Sequence, residues 1–324
     1  MATGNLKLTR RDWARQSVGL FGAAAVGGLS GCMSRSVDAG QPNLVWGRKG
    51  LSDGRLMKPR AVAASPDDEL FMVDMTGRIQ AFTREGEFLR GWRTPAIKQG
   101  KPTGLAFAQD GSLLVADTHY FRMLVYSTEG KLDESRTIGG EHGDAPGQFH
   151  FVTDVVQDKR NHYFIGQYGQ IDHIQEFSPD GEYLQTFGSQ GSEPGQFSRP
   201  QCLTLAADGK LWVADACNHR VQIFDVSESK ARLVDVWGRS GKKAGEIQYP
   251  YGLVFDSDGT ILISEFGNHR VQRFDPDGNS LELWGASGSN PGQFDSPWAL
   301  TLDSTRRLHV LDSLNHRVQS YDLG

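Results

Sequence analysis

The chain has 324 residues, 38% hydrophobic and 23% charged, which is ordinary for a globular protein and long enough for two average domains or one large repeat domain. The formal charge is −5, and setting aside the first 31 residues, with Lys7, Arg10, Arg11 and Arg15 against Asp12, takes it to −8. An acidic balance of that size argues against a nucleic-acid partner, because phosphate binding wants a basic face. The 39 glycines suit a fold with many tight turns.

The chain opens with "LTRRDWARQSVGLFGAAAVGGLSGC". Its apolar run, residues 17–31, is too short and too rich in Gly and Ala for a membrane span of about 20 residues, and it fits an export signal. Thr9-Arg10-Arg11-Asp12-Trp13 resembles the twin-arginine signal, with Arg10 and Arg11 as the pair. Leu29-Ser30-Gly31-Cys32 resembles a bacterial lipobox, which implies lipidation of Cys32. Residues 1–31 are therefore expected to be a signal peptide and residues 32–42 a lipidated tether, leaving 43–324 as the folded part. The expected location is outside the cytoplasm, held to a membrane by the lipid.

Asn43-Leu44-Val45-Trp46-Gly47 then reads as a lone strand. After it, one unit recurs six times. A marker residue between copies falls at Trp46, Trp92, Ile138, Phe187, Trp237 and Trp284, with gaps of 46, 46, 49, 50 and 47 residues. Periods in this range mean solenoids or propellers. Within each unit short β-rich runs alternate with turns such as Asp110-Gly111, Asp208-Gly209 and Asp258-Gly259, which are hairpin signals. Four strands per unit and six units predict an all-β, six-bladed β-propeller. The last copy stops after its third strand, so the lone strand 43–47 is expected to complete it and close the ring without leaving a raw sheet edge.

"NHRVQ" occurs three times, at 218–222, 268–272 and 315–319. An acid ends the second strand of five units (Asp74, Asp117, Asp215, Glu265, Asp312) and a base opens the third (Arg78, Arg122, Arg220, Arg270, Arg317). A carboxylate–guanidinium pair in each blade would pin the intervening loop. The third unit has Gln167 and His173 at these two places, with Asp172 alongside. Both halves changing together is what a lost buried pair predicts, since one half left alone is costly. That unit also carries His142, His150 and His162. The repeated His219, His269 and His316 belong to separate loops, so no shared metal site is expected.

The pattern "P-x-G-(apolar)…DG-x-L-x-V-A-D…N-H-R-V-Q-x-F" resembles the NHL repeat, over about Leu44 to Leu323. The resemblance implies a six-bladed propeller that serves as a binding platform. Ligand-binding residues are sought where each inner strand begins, at the mouth of the central channel: Arg60, Thr103, Thr153, Gln201, Tyr251 and Trp298, with Asp154 as the acid nearest such a start. These either hold a ligand or plug the channel. Cys202 and Cys217 fall near the same end of two neighbouring strands, as a disulfide pair or as two separate thiols.

The expected function is a binding module for a protein or small ligand, monomeric, with no cofactor and no metal. The alternative is a metal-dependent propeller enzyme. The peptidyl-hydroxyglycine lyases, six-bladed and NHL-like, resemble blade four; in them a metal-binding His follows the Pro, where this chain has Gln201, Tyr251 and Trp298. Arg60 and Tyr251 would stand in for the Arg and Tyr of that family, polarising and deprotonating a substrate. A lactonase-like hydrolase would instead use Asp154.

Overall fold

The computed structural model describes residues 40–324. Arg10, Arg11, Cys32, the signal peptide and all but the end of the tether lie outside the described residues. Six four-stranded antiparallel sheets form six blades, and each inner strand contacts the inner strand of the next blade, the first touching the sixth, so the ring is closed. The inner strands are Pro59–Ala64, Gly104–Phe107, Phe151–Gln157, Pro200–Leu205, Pro250–Phe255 and Pro297–Leu302. The second and third strands of each blade are almost wholly buried, because both of their faces pack against neighbouring sheets. The outer strands alternate, as in the half-buried Phe88–Arg93.

The lone strand, Leu44–Trp46, pairs antiparallel with Arg317–Asp322, placing Leu44 opposite Ser320 and Trp46 opposite Val318. Trp46 packs on Phe82 of the first blade at 5.0 Å between ring centroids, so this strand joins sixth blade to first. Blade two is the irregular one. Its outer strand is only Ile138–Gly139, preceded by a 3₁₀ turn at Glu134–Arg136 that Asp133 caps by accepting the Ser135 N–H. Polar residues of turn-forming type interrupt the strand there.

Buried apolar residues between consecutive blades form the core, anchored by an apolar residue near the end of five of the six connecting loops: Leu56, Phe149, Phe197, Ile247 and Phe294, all fully buried. Gly188 shows why "F-G" or "W-G" precedes such a loop. Its φ is +83°, and a Cβ there would stand 2.3 Å from the Phe197 ring.

Candidate functional site at the channel mouth

The framework acids and bases meet across their hairpins. Arg78–Asp74 lies at 2.8 Å, Arg122–Asp117 at 3.0 Å, Arg220–Asp215 at 2.8 Å, Arg270–Glu265 at 2.7 Å and Arg317–Asp312 at 2.6 Å. Burial pushes the carboxyls of Asp117, Asp215, Glu265 and Asp312 upward, against the pull of their guanidiniums. Four of the arginines, all but Arg122, also clamp the loop arriving from the previous blade: Arg220 donates to the carbonyls of Ser192, Glu193 and Gln196 at 2.7–2.9 Å.

The rest of the pentapeptide serves the same joint. Asn218 donates to Gly191 O and to Asp215, and Gln222 donates to Gln196 O and accepts from Gly195 N–H. Val221 is in the core. The histidine reaches the next blade: Nδ1 of His219, His269 and His316 accepts the N–H of Tyr249, Ser296 and Lys58 at 3.1, 3.0 and 2.9 Å. Each of those three residues has positive φ and precedes the proline that begins an inner strand. Burial lowers the pKa of His219 and His316, in keeping with acceptor nitrogens that carry no proton. Sequence reasoning missed this clasp, although the repetition of the histidine signalled it.

Blade three replaces both devices. Gln167 and His173 face each other as a neutral pair, 2.9 Å apart, and burial lowers His173 to about 4. Asp172 takes over the clasp, accepting the Arg199 N–H at 2.6 Å. His150 contacts His142 and Asp144, and His162 contacts Glu176. Among the described residues no group of three or more His, Cys, Asp or Glu is placed to hold a metal ion.

The clasped residues steer the chain into the channel. Pairing between first and second strands slips around Arg60, Thr153, Gln201 and Tyr251, and around Trp298 with Ala299, so each sits in a β-bulge at the strand start. A bulge re-aims its side chain, and Arg60, Gln201, Tyr251 and Trp298, with Thr103 and Asp154, line a channel cavity of about 230 Å³. Thr153 does not line it. It is 1% exposed, and its hydroxyl donates to Pro200 O at 2.5 Å, tying blade three to blade four. Thr103 is held by Thr118 and by Thr153 O.

The walls are aromatic. Tyr251 stacks on Phe266 at 4.7 Å, and both meet Trp298 edge-on at 5.0 and 5.6 Å. Arg60 lies over Trp298 at 4.6 Å, and Arg199 lies over Tyr168 at 4.7 Å and Tyr251 at 5.3 Å. Arg199, Tyr168 and Phe266 were not legible as site residues, since they come from loops or strand ends and converge only when blades three to five are side by side. Asp154 sits deeper. Its carboxylate accepts the N–H of Leu203 and of Val155 at 2.9 and 3.0 Å, and burial raises its pKa to about 7. Gly104 makes room for it, as a Cβ there would lie 2.5 Å from Asp154 Oδ1.

Cys202 and Cys217 are both free thiols. The hairpin turn sets the register: Cys202 faces Ala214, in step with Leu203 opposite Val213, so Cys217 lies beyond its reach along the ladder, and the Cys217 N–H donates to Ser198 O. Burial raises the Cys202 thiol well above its usual range.

Ring closure and six four-stranded sheets define the molecule as a six-bladed β-propeller with a cavity of mixed chemistry in its channel. NHL repeats are present in two of these blades: the NHL repeat family is matched at residues 197–224 and 248–274, in blades four and five. NHL repeat-containing protein 3 of Homo sapiens is 31% identical over 163 residues, 47% of this chain and 46% of that protein. Peptidyl-glycine alpha-amidating monooxygenase B of Xenopus laevis is 31% identical over 189 residues, 56% of this chain and 20% of that protein. The match thus spans less than half the length of these relatives. Among solved structures, a putative gluconolactonase aligns with TM-score 0.62 at 15% identity, covering 86% of this chain and 91% of its own. Virginiamycin B lyase from Staphylococcus aureus aligns with TM-score 0.54 at 15% identity, covering 82% and 84%. At such identities the likeness is one of fold.

Proposed function

We propose that this NHL propeller is an exported, lipid-anchored binding protein whose ligand is a small molecule held at the channel mouth. One observation carries the binding reading. The framework residues repeat from blade to blade, whereas the residues lining the cavity near the strand starts, Arg60, Thr103, Asp154, Gln201, Tyr251 and Trp298, differ in type, with Phe266 stacked on Tyr251. A pure framework has no need of six different side chains there; a recognition site does. The leader supports the location, with Arg10 and Arg11 as the export pair and Cys32 as the anchor.

Saturation-transfer NMR with a library of small aromatic compounds tests it. Hits on the wild type that vanish in Tyr251→Ala/Trp298→Ala support the mouth as the site. Hits that survive the double substitution place binding elsewhere and refute it.

A second reading, catalysis in the channel, has one observation in its favour: Asp154 lines the cavity with a carboxyl raised to about 7, a value suited to proton transfer near neutrality. Metal analysis of the purified protein, followed by lactone and lyase substrates, decides it. Turnover abolished by Asp154→Asn would establish the enzyme; no turnover with one metal per chain or with none would leave binding as the function.

A further inference from the structure

The mouth has a chemistry that its framework does not use. Among the described residues the five framework arginines all have carboxylate partners, yet no carboxylate oxygen lies within 4.0 Å of the guanidinium of Arg60 or of Arg199. Arg199 has one side-chain hydrogen bond, Nε to Gln201 Oε1 at 2.9 Å, and its backbone N–H is what Asp172 accepts. Arg60 contacts the Trp298 face and no acceptor. The two cations are half-buried and near enough that Arg199 lowers the Arg60 pKa, after burial itself. Two like charges placed together out of bulk water are unfavourable unless an anion joins them. The Trp298 indole N–H and His119 Nδ1 are also buried without a partner.

The aromatic faces around these donors fix the rest of the ligand. Trp298, Tyr251 and Tyr168 present flat apolar surface beside the two guanidiniums. The cavity of about 230 Å³ lies below the ~300–1,000 Å³ of pockets for drug-sized molecules, which selects a small one. Asp154, further in, repels a second negative charge whenever it is ionised, so the ligand's charge belongs at the outer end. Guanidiniums match a planar oxyanion two bonds at a time. We propose that the channel mouth binds a small organic acid, its carboxylate between Arg60 and Arg199 and its flat apolar body against Trp298 and Tyr251. This deepens the channel-mouth reading above and rests on it.

The test is calorimetric titration of the detergent-solubilised full chain with three probes of one shape: benzoate, benzamide and benzylammonium. Benzoate is expected to bind at least tenfold more tightly than benzamide, with benzylammonium weakest. Arg199→Gln and Arg60→Gln should each weaken benzoate at least tenfold, leave benzamide unchanged and leave the melting temperature within a degree or two. Arg199→Lys should recover part of the loss, because it keeps charge without the paired donors. Benzamide binding as tightly as benzoate, and lost in Tyr251→Ala/Trp298→Ala, would overturn the acid while keeping the small-ligand site. No binding of any probe would overturn both.

Discussion

Replacing Arg270 with Met tests the framework at its most isosteric point. In the native blade, Arg270 Nε donates to Glu265 at 2.7 Å, and its two terminal nitrogens donate to the carbonyls of Lys242, Lys243 and Glu246 at 2.6–3.0 Å. Glu265 is fully buried. Met keeps the length and removes the charge, so a carboxylate is left in the interior without its cation. Breaking a buried pair this way costs about 3–5 kcal/mol, which for a domain of this size lowers the melting temperature by about 6–20 °C. Adding Glu265→Gln removes the orphaned charge and should bring stability back to within about 1–2 kcal/mol of wild type, the remainder being loop carbonyls that lost their donor. Blade three, with Gln167 opposite His173, is the natural precedent for such a neutral pair. Urea unfolding followed by circular dichroism measures both variants. The single variant should also regain stability as pH falls, because the folded-state carboxyl, already raised by burial, lies above its unfolded value and becomes neutral. If the double variant is as unstable as Arg270→Met alone, charge pairing is not what the acid and base contribute, and the loop carbonyls carry the effect.

The remaining predictions concern closure, pH and location. Deleting residues 43–47 should lower the melting temperature by about 10 °C or more, since it bares the edge of Arg317–Asp322 and strips Trp46 from Phe82; an unchanged melt would sink the closure argument. The His219 and His316 clasps need an unprotonated Nδ1, and the folded pKa of each lies below its unfolded value near ~6.5. Their contribution is therefore complete above that pH and lost as pH falls below it, and His219→Phe/His316→Phe should flatten the slope of urea midpoint between pH 7.5 and 5. A slope identical to wild type would remove the histidines as its cause. Asp154 runs the other way: its folded pKa of about 7 exceeds the unfolded value of 3.8, so its contribution is full below the unfolded value and is lost as pH rises through 7. Carboxyl carbon shifts that titrate below pH 5 would refute that placement. Cys32→Ser should move the protein from the membrane pellet to the supernatant, and lysine at both Arg10 and Arg11 should hold precursor inside the cell; a pelleted Cys32 variant or normal export would refute the anchor or the route respectively.

Blade number, strand count, the closing strand and the acid–arginine pairs were all readable along the chain. The blades and pairs depend on contacts within one hairpin or on a period of 46–50 residues, where sequence separation is short and a turn fixes the register, whereas the closing strand, which pairs with Arg317–Asp322 at the far end of the chain, was legible because the last repeat lacks a fourth strand. The cysteines show how narrow that legibility is. The register runs unbroken from Leu205 opposite Leu211 to Cys202 opposite Ala214, short of Cys217, and the exact register of a hairpin is not fixed by a pattern of alternating residues. What acts between blades was decided only by the closed ring. The reach of His316 to Lys58 spans most of the chain, Asp172 stands in for a histidine because it meets the Arg199 N–H, and Arg199 joins Tyr168 and Tyr251 only when three blades lie side by side. Such contacts depend on the angle at which one sheet packs on the next, which no local propensity encodes, so the framework and the strand-start residues of the mouth could be read from the sequence, while Arg199, Tyr168 and Phe266 beside them had to be seen in the fold.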